Sequence, residues 1–116
     1  MKLAILNSKI VTNPGTYKLQ EFSVKQAQHL MYSVMNQQDI ADGIESYIGH
    51  ASTASLLSTV LKAEIPVNRG TFAQEVGQDA LIITLPQGVR LEEGRVLSLE
   101  EITAIGFTLF LLTRTA

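Results

Sequence analysis

Residues 80–85 read Ala80-Leu81-Ile82-Ile83-Thr84-Leu85, an apolar run interrupted by one threonine. A short continuous apolar run bounded by turn residues is typical of a strand buried on both faces of a sheet. Gly77-Gln78-Asp79 predicts a turn before this run, and Pro86 begins a loop after it. We therefore expect residues 80–85 to form the central strand of the fold.

Further strands are expected on both sides of this central one. Short apolar or alternating runs predict strands at residues 2–6, 17–22, 44–48, 69–76 and 107–112. Helical patterns lie between several of them. The predicted class is therefore α/β, with α+β as the alternative: a single domain with a mixed central β-sheet of about five strands flanked by helices.

Three helices are predicted from their caps and apolar stripes. Ser23 can cap the first helix, with Gln26 three residues later. Ser52 is a candidate N-cap for the second helix, which Pro66 would close off. Ser98 and Glu101 form a capping box for a short third helix, which ends at Gly106. The expected buried stripes are Val24, Ala27, Leu30, Met31 and Val34 in the first helix, and Thr53, Leu56, Leu57, Val60 and Leu61 in the second.

Composition narrows the possible functions. The 116 residues suit one domain, and the absence of cysteine excludes disulfides, thiolate zinc sites and a cysteine nucleophile. The net charge of −2 and the lack of a basic stripe argue against binding long nucleic acid. Because residues 1–6 are too short for a signal peptide and no apolar run approaches membrane length, we expect a cytoplasmic protein with no membrane partner.

The segment from Gly49 to Thr53 is a candidate anion site. A predicted strand leads through glycine into a helix whose first turn carries hydroxyl groups, and free N–H groups at such a terminus favour an anion. Gly49 would allow close backbone approach, Ser52 and Thr53 would offer donors, and His50 could transfer a proton. An ordinary serine cap preceded by an unrelated histidine explains this segment equally well.

Two arginines could hold a phosphate. Arg69 and Arg90 lie in predicted loops or at strand edges, where a guanidinium can bind phosphate through paired donors, although an exposed surface role is the simpler reading of either alone. His29 is expected on the exposed face of the first helix. With two distant histidines and no cysteine, no metal site is predicted. The residues alone thus predict a small phosphate-binding domain and no more.

Three motifs resemble those of a known family. They are Ile48-Gly49-His50-Ala51-Ser52-Thr53, the pair Asn68-Arg69, and Arg90-Leu91-Glu92-Glu93-Gly94-Arg95-Val96-Leu97-Ser98. Together they resemble the viral ring nucleases, anti-CRISPR enzymes found in archaeal viruses, phages and bacterial mobile elements. The resemblance implies a homodimer that binds cyclic tetra-adenylate at its interface. It also implies cleavage without metal or cofactor, to linear di-adenylate with a 2′,3′-cyclic phosphate, which would silence type III CRISPR signalling.

The resemblance also assigns roles to individual residues. His50 matches the catalytic histidine that protonates the departing 5′ oxygen, and Glu93 matches the acidic residue of the Leu-Glu-Glu-Gly motif. Ser52, Arg69 and Arg90 match ligand contacts. A further polar contact after the first strand would come from Asn7 or Ser8. Two alternatives remain: a protein that sequesters a cyclic nucleotide without cleaving it, and a viral or mobile-element interaction protein in which these residues are structural.

Overall fold

The described part of the chain contains five strands and three helices. The structure is a computed structural model that describes residues 1–36, 41–92 and 97–116. Its elements are, in order, β1 (Leu3–Leu6), β2 (Tyr17–Phe22), α1 (Val24–Asn36), β3 (Ile44–Ser46), α2 (Ala51–Leu61), β4 (Asp79–Thr84), α3 (Leu99–Ile105) and β5 (Thr108–Arg114).

The strands form one mixed sheet in the order β2-β5-β4-β1-β3. Strand β1 pairs in parallel with β3 and β4, whereas β5 pairs antiparallel with both β4 and β2. The predicted central strand is confirmed, because β4 occupies the middle position and its residues 80–83 are all buried. The mixed five-stranded sheet is confirmed as well.

The two faces of the sheet are covered differently. On one face, Leu81 and Ile83 of β4 belong to a core cluster that also holds the buried residues of all three helices. On the other face, Ala80 and Ile82 pack in a smaller cluster edged by aromatic side chains, which are Tyr17, Tyr47, Phe72 and Phe110. Because the helices pack on one face of a mixed sheet, the fold is α+β.

Local signals located two helix starts correctly. The Ser23 Oγ accepts from the Gln26 backbone N–H at 3.1 Å, and the Gln26 side chain accepts from the Ser23 N–H at 2.8 Å. Ser98 and Glu101 form the predicted capping box of α3, and Gly106 ends that helix in the left-handed region at φ 78°. His29 lies exposed on α1 as expected, whereas Val24, predicted to be buried, is 37% exposed at the first position of the helix.

Two predictions between α2 and β4 are wrong. Residues 69–76 form no strand; the backbone N–H groups of Gln74 and Glu75 pair with side chains instead, and that of Gln74 donates to Thr12 Oγ1 at 2.8 Å. Helix α2 ends at Leu61, well before Pro66, because Lys62 adopts a left-handed conformation and its N–H bonds back to the Ser58 carbonyl. Residues 62–78, the long connection, therefore join α2 to β4 without a helix or strand.

The long connection contributes to the second face of the sheet. Phe72 packs against the small cluster, and its ring lies 5.0 Å from that of Tyr47. Gln74 is buried and donates through Nε2 to the carbonyls of Gln78 and Leu112. Arg114 donates to the Gln74 carbonyl at 2.6 Å. Side-chain hydrogen bonds thus help to attach the long connection to the sheet.

Candidate functional site

The candidate site lies where the three parallel strands end. Because β1, β3 and β4 run in the same direction, their carboxyl ends meet at one edge of the sheet. Asn7 follows β1, His50 follows β3 after a short loop, and Leu85 follows β4. Ligands commonly bind outside the carboxyl ends of parallel strands, and the sheet brings distant parts of this chain together there.

Helix α2 begins two residues earlier than predicted. The N-cap is His50, with extended backbone angles of φ −122° and ψ 129°, and its side chain makes no capping hydrogen bond. Ser52 therefore lies inside the first turn, where it is buried together with Thr53. A serine cap contributes only about 1 kcal/mol, so burial of the apolar stripe on α2 outweighs it in setting the start of the helix. The stripe itself is buried as predicted.

One concavity brings four of the predicted residues together. It measures about 420 Å³ and is lined by His50, Ser52, Thr53 and Arg90, along with three apolar residues that the sequence analysis did not identify: Leu85, Val89 and Leu91. His50 is exposed and Arg90 is also on the surface, so both side chains are accessible to solvent. The amino end of α2 adds a positive partial charge to the same concavity.

An adjoining concavity extends the site on its apolar side. It measures about 230 Å³ and shares Ser52, Arg90 and two neighbouring apolar residues with the first. The side chains of Leu97 and Ile105 complete its apolar lining, and Glu92 and Glu101 are its acidic residues. The two concavities therefore share Arg90 and both carry apolar side chains, with His50 in the larger one and the two glutamates in the smaller one.

Arg69 lies against Gly49, the residue that precedes His50. Its Nε donates to the carbonyl of Gly49 at 2.9 Å. A Cβ atom on Gly49 would come within 3.3 Å of Arg69 Cγ. Gly49 does not have a positive φ, so the close contact with Arg69, and not backbone conformation, favours glycine here. Arg69 is exposed and lies next to the 420 Å³ concavity, not among the residues that line it.

The remaining predicted residues are placed less closely. Asn7 and Ser8 are exposed at the carboxyl end of β1, on the correct edge of the sheet, but neither lines the two concavities. Glu93, predicted to be catalytic, lies outside the described residues, as does Arg95 of the same motif. Within residues 1–36, 41–92 and 97–116, no three histidine or acidic side chains are grouped as a metal site would require.

The loop before His50 carries a perturbed phenol. Burial raises the pKa of Tyr47 above its usual value of 10.0, and a hydrogen bond to the nearby Glu45 carboxylate, with the negative charge of that group, raises it further. Tyr47 N–H also donates to the Ile5 carbonyl at 2.9 Å, which continues the pairing of β3 with β1. The loop that leads to His50 is therefore anchored on the sheet.

A larger cavity elsewhere has different chemistry. It measures about 500 Å³ between α1 and the carboxyl end of α2, and His29 is one of its lining residues. Its cationic side chains are lysines, and no arginine lines it. Since His50, Ser52, Thr53 and Arg90 line a concavity at the other end of α2, cavity size alone does not identify the candidate site.

The chain is similar in sequence to a bacterial protein and to a viral protein. The chain is 32% identical over 115 residues to the uncharacterised protein YddF of Bacillus subtilis (strain 168), covering 98% of each chain. It is also 32% identical over 116 residues to the uncharacterised protein ORF117 of Acidianus two-tailed virus, covering 97% of this chain and 92% of the viral one.

A solved structure and a family model complete the comparison. The fold is similar to that of B116 of Sulfolobus turreted icosahedral virus, with a TM-score of 0.82 and 24% identity over 98% of this chain and 100% of that one. The model of the STIV B116-like family matches residues 3–109. These matches cover nearly the whole chain, and the five-stranded mixed sheet with three helices in the described residues matches the B116 structure. The chain belongs to the STIV B116-like family.

Proposed function

We propose that this protein is a metal-independent ring nuclease that cleaves cyclic tetra-adenylate to linear di-adenylate and thereby inhibits type III CRISPR signalling. The observation that carries the proposal is the concavity shared by His50, Ser52, Thr53 and Arg90. A proton donor, hydroxyl groups, a guanidinium and a helix amino terminus converge there, and this set suits a phosphodiester. The motif resemblance supplies the identity of the ring.

The proposed reaction uses a nucleophile that the substrate brings. The ribose 2′ oxygen bonds to the adjacent phosphorus, and the bond from that phosphorus to the 5′ oxygen breaks. His50 donates a proton to the departing 5′ oxygen, the 2′-hydroxyl proton passes to solvent, and a 2′,3′-cyclic phosphate remains. Arg90 and the N–H groups of α2 stabilise the charge that develops on phosphorus-bound oxygens. His50 is exposed, so solvent can restore its proton.

The concavity beside Arg90 combines apolar side chains with charged ones, a mixture that suits a nucleotide better than an inorganic anion. Adenine needs a surface of low polarity close to its phosphate, and Leu91, Leu97 and Ile105 offer one within the same site. A cyclic tetra-adenylate has twofold symmetry, whereas one chain supplies only one proton donor of this kind, His50. We therefore propose a homodimer with the ring at its interface, acting in the cytoplasm where the messenger is made.

The test follows binding and cleavage separately. Labelled cyclic tetra-adenylate is incubated with the protein in excess chelator, and retention and product are both measured. His50→Ala should abolish cleavage, with a loss of about 10²-fold or more for a general acid, and leave retention nearly unchanged. The matched control is His29→Ala, because His29 is also exposed but lines the cavity at the far end of α2.

Each outcome separates the remaining alternatives. Retention without product in the unmodified protein would contradict the nuclease and support a sequestering protein. Neither retention nor product would contradict both and support an interaction protein. Light scattering on the same samples should give twice the chain mass of 12.7 kDa, with one ring per two chains. A monomer that cleaves the ring would overturn the shared site.

A further inference from the structure

The side chain of Asn68 ties the long connection to the loop that carries His50. Its Nδ2 donates to the Ser46 carbonyl at 2.8 Å, and its backbone N–H donates to the Ile48 carbonyl at 2.9 Å. The next residue, Arg69, donates through Nε to the Gly49 carbonyl at 2.9 Å. Three donors from two consecutive residues thus reach three carbonyls of the four residues that precede His50.

We infer that Asn68 and Gly49 are positioning residues that fix the Arg69 guanidinium beside His50. An unrestrained arginine on an exposed loop loses considerable side-chain entropy when it binds a phosphate. Here the Nε of Arg69 is already engaged by the carbonyl of Gly49, the residue before His50, and the terminal Nη groups remain available to a phosphate oxygen. The inference rests on the proposed function for its ligand, but not for the geometry it describes.

Gly49 completes this arrangement by leaving space. Its missing Cβ is what allows Arg69 Cγ to lie against the backbone, since an added Cβ would be 3.3 Å away and the arginine would have to move by a few tenths of an ångström. Gly49 therefore makes room for the Arg69 side chain. Close approach of its backbone to a ligand, the role expected from the sequence, stays a prediction. Gly70 is similarly close to Asn68, with its Cβ position 3.4 Å from Nδ2.

The first experiment measures the arginine directly. Hydrogen exchange of the Arg69 Nε–H, followed by NMR, should be slow in the unmodified protein because the group is hydrogen-bonded. Asn68→Ala should speed this exchange about tenfold, since the bond to Ser46 that anchors the segment is lost. Asn68→Asp should have the same effect, because its carboxylate has no donor. Asn36→Ala is the matched control: Asn36 also donates to a backbone carbonyl, that of Tyr32, but on α1.

The second experiment measures the ligand. For Asn68→Ala we expect the dissociation constant or KM for cyclic tetra-adenylate to rise about tenfold with kcat changed much less, because Arg69 would bind the ring but not transfer the proton. Gly49→Ala, which removes no hydrogen bond, should shift the Arg69 Nε–H resonance and weaken binding as well. This second variant decides the matter if Asn68→Ala does not fold.

The two proposals can fail separately. An Arg69 Nε–H that exchanges at the same rate in the unmodified protein and in Asn68→Ala would overturn the positioning inference, whatever the activity. Failure of cyclic tetra-adenylate to bind the unmodified protein would overturn the proposed function, while accelerated exchange in Asn68→Ala would still uphold the positioning of Arg69.

Discussion

Tyr47 shows how a single side chain can make the stability of this fold depend on pH. Burial and the Glu45 carboxylate both favour its protonated form, so its pKa is higher in the folded protein than in the unfolded chain. A group of this kind contributes stability that is complete below the unfolded pKa of about 10 and is lost as pH rises through the folded pKa. We therefore expect stability to fall in alkaline solution as Tyr47 ionises.

Replacement of Glu45 tests this expectation. Glu45→Gln should lower the pKa of Tyr47, because it removes the carboxylate acceptor and its charge, but burial should still hold that pKa above its usual value. The Tyr47 ring carbon shift in NMR reports the titration. Glu21→Gln, on the edge strand β2, is the control and should leave it unchanged. An unchanged Tyr47 titration in Glu45→Gln would contradict the assignment.

At the scale of the helix, the residue that ends α2 has a backbone conformation that is unfavourable for a residue with a Cβ. Lys62 adopts φ 56° and ψ 41°, a conformation that costs about 1 kcal/mol for a residue with a Cβ. Lys62→Gly should therefore raise the free energy of unfolding by about 0.5–1 kcal/mol, as measured by urea denaturation. Unchanged or lower stability would show that the lysine side chain compensates for its backbone.

The opposite substitution at α3 serves as the matched control. Gly106 ends that helix at φ 78°, and a Cβ placed on it would meet nothing within 4 Å. Gly106→Ala should therefore lower the free energy of unfolding by about 1 kcal/mol through conformation alone. Opposite signs at the two helix ends are expected if backbone conformation, and not lost contacts, is the cause.

At the scale of the whole molecule, Gln74 joins the long connection to the sheet. It is 1% exposed and donates to the carbonyls of Gln78 and Leu112, whereas its Oε1 has no hydrogen-bond partner among the described residues. Its donor side therefore carries the interaction. Gln74→Ala would remove both of these hydrogen bonds from a buried position and should lower the free energy of unfolding by about 2 kcal/mol.

Two further variants make the Gln74 experiment specific. Gln74→Glu keeps the shape but places carboxylate oxygens against carbonyls, so it should destabilise at least as much as Gln74→Ala. Gln87→Ala, in an exposed loop, is the control and should change stability by no more than about 0.5 kcal/mol. Equal stability of Gln74→Ala and the unmodified protein in urea would show that the connection is held mainly by its other contacts.

Features that depend on residues close in sequence could be predicted more readily than features that depend on distant residues. The capping boxes at Ser23 and Ser98 depend on neighbours three residues away and were located correctly. The alternating pattern also located the strand at Tyr17–Phe22, although its partner β5 is remote in sequence. Residues 69–76 of the long connection alternate as a strand does, but the Gln74 N–H bonds to the side chain of the remote Thr12 and not to a neighbouring strand. An alternating pattern cannot reveal such partners.

The residues of the candidate site also differ in how far their positions could be predicted from the sequence. His50, Ser52 and Thr53 are consecutive in sequence, and their motif was visible directly. Arg90 reaches them only because β4 and β3 both pair with β1, so its place in the concavity depends on strand order. The hydrogen bond donated by the Asn68 side chain joins residues 22 positions apart. Its acceptor is the backbone carbonyl of Ser46, and because every residue has such a carbonyl, the sequence around Ser46 does not reveal the bond.

The way the long connection is attached has a consequence for the order in which the molecule comes apart. A segment held through side chains such as Asn68, Gln74 and Gln78 can detach while the ladders of β4 with β1 and β5 stay intact. Such partial opening has a lower free energy than global unfolding. We therefore expect the connection to open as a separate unit, which would free Arg69 from Gly49 while the sheet remains folded.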